Sequence, residues 1–476
     1  MHKEGGSGAF QHAVTRWRGF GRNALYFFLT GLLVAVPALM NQSPLVYTDS
    51  GAFIGRIWSL EAMTDRPIGY PLIMRAVTWQ VSLWPVVFFQ GMISSWLIFE
   101  VLRQVFPRAK AIWRIHMVLL AVLVLTSSLP WYAAQIMPDA LTALIALVLF
   151  LLFFGKGIAP LKLGFLWIWL FFLGISHLSH LAILMAITGC LLIARGSLAG
   201  RSFLGQLSWW KWSGSLALIV ASVLFIQGHN ARWGYGRVLA PSTDLFYAAK
   251  LCESGVMYEH LKRCCPTHHH PLCEHMDQLN TTAMFFIWNK DSPMKPVGLE
   301  QVTASKLIAP LTHEVLHDVR NWPLIAWTTF TATLAQLGQV EIGSGLQPYR
   351  EDSSPYFHYK WHLPHELPFY MSSAQQRGAL HFEMVNHVSH LALLLSILIL
   401  ALYWKGSSLQ LQRFVVVALA VVFFNAMVTG GVANVYDRLQ ARVTWLIIIS
   451  ATLMILYRYK DRWIAGEDSA HEAEPS

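Results

Sequence analysis

The first polar loop contains acids and a base whose types and spacing could support a transfer reaction at a membrane surface. Asp49 follows the first long apolar run, and the segment TDRPIGYP then brings Asp65, Arg66 and Tyr70. A carboxylate can accept a proton as a general base, and a guanidinium group can hold an anionic leaving group. Two simpler interpretations stay open, namely an N-cap role for Asp49 and a solvated turn for Asp65 and Arg66.

The same segment has the composition of an elbow between two helices. An amphipathic stretch with Phe53, Ile57 and Trp58 precedes it and could lie in the headgroup layer. The prolines of TDRPIGYP fix the chain direction, and Gly69 is expected to permit the bend. The elbow would return the chain from the interfacial helix to the site.

Further acids and histidines stand at the ends of later apolar runs. Asp139 follows Pro138 at the start of the fourth run. It is either a second acid of an active site or a charge that stabilises a helix N-terminus. His177 and His180 lie three residues apart in a tight turn and could share a helix face. They could bind phosphate or a metal, or simply hydrogen-bond neighbouring carbonyls.

Two pairs of arginines flank membrane runs. Arg232 and Arg237 follow the seventh run, whereas Arg438 and Arg442 stand four residues apart before the last. Each pair is either an interfacial anchor or a clamp on a lipid-linked phosphate. Asp437 could neutralise one member of the second pair.

The sequence LTHEVLHDV contains the H-E-x-x-H pattern of zinc proteases in His313, Glu314 and His317. Three observations count against a zinc site. Twenty histidines make a chance match to the pattern more frequent, no third ligand is obvious, and Pro323 limits the length of the helix that would carry the motif. A membrane zinc metalloprotease is kept as an alternative function.

Four of the five cysteines crowd one polar segment, namely Cys252, Cys264, Cys265 and Cys273. On an oxidising side of a membrane such a cluster predicts disulfides. The pairing is not readable from the sequence, although adjacent Cys264 and Cys265 are expected to take different partners.

The composition identifies the elements that must position these residues. The chain has 476 residues, of which 55% are hydrophobic and only 13% charged, about half the charge of a soluble domain. The apolar runs lack the period of two that barrel strands require, so we predict an all-α polytopic membrane protein. About ten spans fit the lengths needed, near 24–41, 82–104, 114–130, 138–154, 161–176, 179–195, 213–228, 388–404, 412–430 and 443–458.

The net charge of +9 is distributed as a membrane protein requires. Lys and Arg cluster in short links that fall on one side, so we predict that side to be cytoplasmic and expect no nucleic-acid partner. The run 323–337 would break this alternation and is interpreted as interfacial or re-entrant. The predicted units are a transmembrane module at 1–228 with its loop at 42–81, an external insert at 229–387, the last spans at 388–463 and a tail at 464–476.

The first loop resembles that of the GT-C superfamily of membrane glycosyltransferases, close to protein mannosyltransferases and the aminoarabinose transferases of lipid A. Asp49 matches an acid just after span one, Asp65 and Arg66 match an acid–base pair, and PIGYP matches a Pro-x-Gly-Tyr-Pro run. YDRLQARVTW resembles an Arg-containing element before a late span. The resemblance implies a GT-C-like bundle with an external juxtamembrane helix and a large external insert.

The resemblance also implies a function and residue roles. An inverting enzyme would transfer a sugar from a polyprenyl-phosphate donor in the membrane lipid to a glycan, lipid or protein, at the outer face of the plasma (inner) membrane. Asp49 would be the base, and Asp139 would support it or help hold a divalent cation, the one cofactor considered. The donor pocket and phosphate contacts would come from Asp65, Arg66, Arg232, Arg237, Arg438 and His180. A non-catalytic carrier of a lipid-linked glycan is the second alternative.

Overall fold

A computed structural model describes residues 21–205, 208–267, 270–294 and 300–460. These ranges contain helices and no β-strand, and one isolated bridge joins Leu45 to Gln135. The α-helices in chain order are α1 21–34, α2 Val36–Asn41, α3 Ser50–Ser59, α4 Gly69–Thr78, α5 Trp84–Val105, α6 Ile112–Thr126, α7 Leu129–Ala133, α8 Asp139–Thr142, α9 Leu144–Phe154, α10 Pro160–Ser176, α11 Leu178–Ala194, α12 Leu198–Leu204, α13 Trp209–Arg232, α14 Thr243–Glu253, α15 Val256–Cys264, α16 Ala283–Trp288, α17 Gln301–His317, α18 Trp322–Leu337, α19 Ser354–His362, α20 Leu367–Ser372, α21 Glu383–Tyr403, α22 Leu409–Val432 and α23 Asp437–Arg458. Short 3₁₀ helices cover Pro271–Gln278, Val319–Asn321 and Trp404–Gly406.

The lengths and composition of the helices confirm a helical membrane protein. Five are long and apolar enough to cross a bilayer, namely α5, α13, α21 with the 3₁₀ turn that follows it, α22 and α23. A sixth span results if α11 and α12, which bend by 116° at their junction, are counted together. Shorter apolar helices occupy 112–126, 139–154 and 160–176. The predicted count of ten spans therefore stays a prediction.

The burial pattern separates the inner from the outer helices of the bundle. Every residue of α9 is buried, and α9 packs against α5, α10 and α22. In contrast, α21 exposes leucines such as Leu391, Leu394 and Leu398. Lipid tails are as apolar as leucine, so these residues have the exposure expected of a lipid-facing surface.

Helix α3, which the sequence predicts to lie beside the membrane, is fixed by close contact with α19. A Cβ atom at Gly55 would lie 2.3 Å from Cε1 of His358, and one at Gly51 would lie 2.4 Å from the carbonyl carbon of Ser354. Two glycines four residues apart let two helix backbones approach closely. This contact holds α3, and with it Asp49 at its N-terminus, against the 339–382 segment.

The predicted insert at 229–387 divides into two packing units. Helices α14 to α17 share their own hydrophobic cluster, in which Leu245, Phe286 and Val315 are buried. The later part, through Tyr349 and Tyr359, belongs to the main cluster instead.

The apolar run interpreted as interfacial or re-entrant forms α18. It packs along α22, and a Cβ atom at Gly430 would lie 2.7 Å from the carbonyl oxygen of Ala332. The interpretation of 323–337 stays a prediction.

Candidate active site

The Asp49 carboxylate lies between two guanidinium groups. Asp49 is the N-cap residue of α3, yet its side chain makes no capping hydrogen bond. Its Oδ2 is instead 3.3 Å from Nη1 of Arg66 and 3.3 Å from Nη1 of Arg438. The side chains of Asp49 and Arg438 remain 25% and 16% exposed. The Asp49 side chain therefore forms ion pairs instead of a helix cap, and part of its surface is open to solvent.

The electrostatics of Asp49 follow from these neighbours. Burial raises the pKa of the Asp49 carboxyl, but the charges of Arg66 and Arg438 outweigh burial, so its pKa lies below the ordinary value. Asp49 is therefore ionised while the two arginines face it.

Arg66 joins the elbow to Asp49. Its Nε donates to Oδ2 of Asp65 at 3.0 Å, its Nη2 contacts the same oxygen, and its Cζ lies 5.2 Å from the centre of the Phe53 ring. Asp65 and Arg66 thus do not form a freely solvated turn. We call Asp49, Asp65, Arg66 and Arg438 the Asp49 cluster.

The elbow itself is held by contacts with distant segments. The amide and hydroxyl of Ser242 both donate to the Thr64 carbonyl, at 2.9 and 2.7 Å. Gly69 begins α4 without a positive φ, so its expected role in permitting a bend is wrong. A Cβ atom there would lie 2.3 Å from the carbonyl oxygen of Ile175, and close approach to α10 is the reason for glycine.

A buried ion pair lies one helical turn along α23 from Arg438. Nη1 of Arg442 donates to Oδ1 of Asp139 at 2.7 Å, and the two residues are 1% and 2% exposed. Arg442 also donates to Oδ1 of Asn425 at 2.8 Å and to Oγ of Ser179 at 3.1 Å. Buried charges persist when they are paired and hydrogen-bonded in this way. We call this set the Asp139–Arg442 pair.

Arg438 connects the Asp49 cluster to the surrounding segments. Its Cζ lies 3.8 Å from the centre of the Tyr47 ring, and its carbonyl accepts from the Tyr132 hydroxyl at 2.9 Å. Gly345 packs against the Tyr47 ring, and a Cβ atom at Gly345 would lie 1.7 Å from Cε2 of Tyr47. The positive φ of Gly345, 79°, is a second reason for glycine at this position. The 339–382 segment therefore packs against the Tyr47–Arg438 contact.

Tyr70 and the two histidines are engaged in internal hydrogen bonds. The Tyr70 hydroxyl donates to Oε1 of Gln90 at 2.8 Å. His180 is buried, with Nδ1 3.0 Å from the Leu173 carbonyl and Nε2 2.8 Å from Oγ1 of Thr142. His177 caps α11 by accepting from the Ser179 amide. The expected hydrogen bond to a neighbouring carbonyl is thus present for His180, whereas the His177 ring nitrogen contacts the Ser179 amide and hydroxyl instead.

Three of the residues expected at the site have other surroundings. Arg232 and Arg237 are exposed at the end of α13, and no ion pair joins them to the Asp49 cluster within the part of the chain that the structure describes. The carboxylate of Asp437 accepts from the Glu341 amide at 3.1 Å. Arg438 and Arg442 are neutralised by Asp49 and Asp139 instead.

The side chains of the H-E-x-x-H motif point to different partners. Nε2 of His313 is 3.1 Å from Oδ1 of Asp244, whereas Nδ1 of His317 is 2.7 Å from the His313 carbonyl. Oε1 of Glu314 lies 3.3 Å from Nε2 of His260. The two motif histidines therefore do not converge with Glu314 on one point.

The cysteine cluster contains one disulfide, which joins Cys265 to Cys273. This confirms a disulfide in the segment. Cys252 and Cys264 are free thiols, so the expectation that adjacent Cys264 and Cys265 each take a disulfide partner is wrong for Cys264.

Within the described part of the chain, the candidate site provides acids and cations within contact distance but no group of three metal ligands. Among the described residues, Asp49 and Asp139 belong to no group of three side chains able to hold a metal ion. A divalent cofactor at this site stays a prediction. The chemistry available from the chain itself is proton transfer to a carboxylate and anion binding by guanidinium groups.

Two residues of the site were not expected from the sequence. Tyr47 carries the Arg438 guanidinium on its ring, and Asn425 accepts from Arg442 while donating to Oε1 of Gln440 at 2.8 Å. Polar side chains are rare inside membrane spans and usually have a partner or a function there. The position of Asn425 in a predicted span could therefore have indicated its role. Tyr47 offers no comparable signal.

No protein-family model, curated protein or solved structure matches this chain. The resemblance to GT-C enzymes thus rests on the residues of the first loop and on the element before the last span.

Proposed function

We propose that the protein is a membrane glycosyltransferase that moves a sugar from a polyprenyl-phosphate donor to an acceptor hydroxyl. The observation that supports the proposal most is the position of the Asp49 carboxylate, 3.3 Å from both Arg66 and Arg438 at a partly exposed site. One acid and two cations are the groups needed to deprotonate an acceptor and to hold a departing phosphate. The resemblance of the PIGYP loop supplies the substrate class.

The proposed reaction is a single displacement with inversion. The acceptor oxygen forms a bond to the anomeric carbon while the bond from that carbon to the phosphate oxygen breaks. The acceptor proton passes to the Asp49 carboxylate, and the electron pair of the broken bond leaves on the polyprenyl phosphate. Arg66 and Arg438 stabilise the negative charge that develops there.

Donor binding would also change the basicity of Asp49. A phosphate competes with Asp49 for the same two guanidinium groups, and Nε of Arg438 is buried with no acceptor among the described residues. As the arginines turn to the phosphate, burial acts on the Asp49 carboxyl with less opposition, so its pKa rises. The carboxylate becomes a better base when the donor is in place.

The remaining residues would position these groups. Asp65 holds Arg66 in place, and the Asp139–Arg442 pair fixes α23, which carries Arg438 one turn earlier. Arg442 and Asp139 act as positioning residues in this proposal, because both are buried and bonded to each other. The aromatic residues of 229–387 would bind the glycan, lipid or protein acceptor.

The location follows from the proposed topology. With ten spans and the basic links in the cytoplasm, the Asp49 cluster and the 229–387 insert face the exterior of the plasma membrane. The lipid tail of the donor keeps its phosphate at that boundary.

The test is sugar release from a panel of polyprenyl-phosphate sugars by the full-length protein in lipid nanodiscs. Wild type is compared with Asp49→Asn and with Asp437→Asn, a nearby acid whose carboxylate accepts from the Glu341 amide and, among the described residues, forms no ion pair with Arg66 or Arg438. Loss of a general base typically lowers the rate by about 10²–10⁴-fold, and we expect that loss in Asp49→Asn alone. Equal turnover in all three proteins would refute Asp49 as the base. Donor binding without turnover in wild type would indicate the carrier alternative.

A further inference from the structure

A second cluster of reactive side chains lies in the 229–387 region, away from the Asp49 cluster. His260 and Cys264 stand four residues apart on α15, and Glu314 reaches them from α17. One ligand atom from each side chain lies within 4.8 Å of the other two. We propose that His260, Cys264 and Glu314 form a site for a zinc ion, which joins α15 to α17.

The two distances from the His260 nitrogen agree with coordination of one tetrahedral ion. Zinc binds nitrogen at about 2.0–2.1 Å, sulfur at about 2.3 Å and carboxylate oxygen at about 2.0–2.2 Å, so tetrahedral angles separate nitrogen from sulfur by about 3.6 Å and nitrogen from oxygen by about 3.4 Å. Nε2 of His260 is 3.5 Å from Sγ of Cys264 and 3.3 Å from Oε1 of Glu314.

The polar groups around His260 can serve a metal-bound ring as well as a hydrogen-bonded one. One ring nitrogen, Nε2, faces both the thiol and the carboxylate, and a single N–H can serve only one acceptor well. Coordination at Nε2 places the ring proton on Nδ1, where Oδ2 of Asp318 lies 3.4 Å away. Ligating histidines are commonly oriented by a carboxylate in this way. Nδ2 of Asn321 lies 3.1 Å from Nδ1 and can donate to it only while Nδ1 carries no proton. Metal binding would replace that hydrogen bond by the one to Asp318, and Asn321 would keep its hydrogen bond to the Val315 carbonyl.

Charge and accessibility also support a divalent transition metal. A thiolate and a carboxylate balance the two charges of zinc, and the mixed sulfur, nitrogen and oxygen set suits zinc rather than calcium or magnesium. His260 is 1% exposed, whereas the Glu314 side chain is 59% exposed. The site is thus anchored in the α14–α17 cluster and open on one side, where a fourth ligand can bind.

The site explains two features that the active site does not use. Cys264 is unbridged beside the Cys265–Cys273 disulfide, and a zinc-bound thiolate would be protected from pairing. Glu314 belongs to the H-E-x-x-H sequence but faces His260 rather than His313 and His317. The motif would therefore contribute its glutamate, not its histidines, to the metal.

The experiment uses full-length protein in detergent, treated with a chelator and then titrated with Zn²⁺ or Co²⁺ without reductant. Wild type is compared with Cys264→Ser, Glu314→Gln and the matched control His313→Ala, which alters an exposed histidine on the same helix. We expect one zinc per chain in wild type and in His313→Ala, with a thiolate-to-cobalt charge-transfer band. Loss of a second-shell partner lowers metal affinity by about 10–100-fold, and we expect a larger loss in Cys264→Ser and Glu314→Gln.

Three results would overturn the proposal. They are a wild-type protein that retains no zinc, a Cys264→Ser variant that retains it unchanged, and loss of zinc in His313→Ala but not in Cys264→Ser. The last would assign the metal to the H-E-x-x-H histidines. Thermal unfolding of each variant shows whether the protein remains folded. Buried His260 is left unchanged, because Cys264 is only partly buried and Glu314 is exposed, so their variants test the site with less risk of unfolding. The readout is metal content, so it does not depend on glycosyl transfer.

Discussion

Substitution of Arg442 by glutamine should destabilise the protein strongly. The change removes the cation from a pair that is 2% or less exposed and leaves the Asp139 carboxylate charged and buried. Breaking a buried pair on one side costs about 3–5 kcal/mol, and Asn425 and Ser179 each lose a donor as well. We therefore expect the free energy of unfolding of Arg442→Gln to fall by about 3–5 kcal/mol.

The double variant Asp139→Asn/Arg442→Gln separates the charge effect from packing. With both charges removed, two neutral amides of similar shape can bond to each other, and much of the lost stability should return. The matched control is Arg56→Gln, which breaks the exposed pair between Arg56 and Glu61, whose side chains are 33% and 45% exposed. That change should cost at most about 1 kcal/mol.

The assay is reversible unfolding in mixed micelles with increasing SDS, followed by tryptophan fluorescence. The reasoning is refuted if Arg442→Gln is no less stable than Arg56→Gln. It is also refuted if the stability lost in the double variant equals the sum of the losses in Arg442→Gln and Asp139→Asn, because the two side chains would then contribute separately rather than as a pair.

Three further perturbations test the positioning of the site. Gly69→Ala places a Cβ atom 2.3 Å from a backbone carbonyl oxygen, so stability should fall by about 1–3 kcal/mol, and an unchanged unfolding midpoint would contradict the proposed close approach. Gly55→Ala should destabilise by a similar amount through the His358 ring, and the double change Gly55→Ala/His358→Ala should recover part of the loss; no recovery would show that α19 is not the cause. Arg438→Gln removes one of the two charges that lower the pKa of Asp49, so that pKa rises. The stability contributed by ionised Asp49, present above its unfolded pKa and lost as pH falls through its folded pKa, should then be lost at a higher pH than in wild type. Unfolding measured across the acidic range checks this, and superimposable pH profiles would exclude the ion pair in solution.

The sequence predicted the helical membrane class because this depends on composition and on backbone hydrogen bonding in lipid. It also identified Asp49, Arg66 and Arg438 as separate candidates, since charges at span ends stand out against an apolar background. It could not pair them, because Arg438 follows Asp49 by 389 residues and no local pattern encodes such a contact. Gly69 was misinterpreted for a similar reason, since its neighbour Ile175 belongs to a distant helix.

The division of the 229–387 region was also beyond local patterns. Composition marks the whole stretch as polar and aromatic, whereas packing assigns Leu245 to one hydrophobic cluster and Tyr359 to another. In the same way, the ligands of the proposed zinc site come from α15 and α17, which only the tertiary structure brings together.

The buried pair has a consequence for how the chain enters the membrane. Asp139 precedes Arg442 by 303 residues, so in the predicted topology the span that begins at Asp139 is made and inserted long before its counter-ion exists. An unpaired aspartate costs about 2.5–3.5 kcal/mol at the centre of an inserting helix, an upper bound for Asp139 at the helix start, while Leu, Ile, Phe and Val each contribute about −0.3 to −0.6 kcal/mol. The helix that follows, LIALVLFLLFF, contains almost only such residues. The favourable insertion free energy of these residues can offset the unfavourable insertion free energy of Asp139. The nascent chain can then hold Asp139 at the membrane until the last helix brings Arg442.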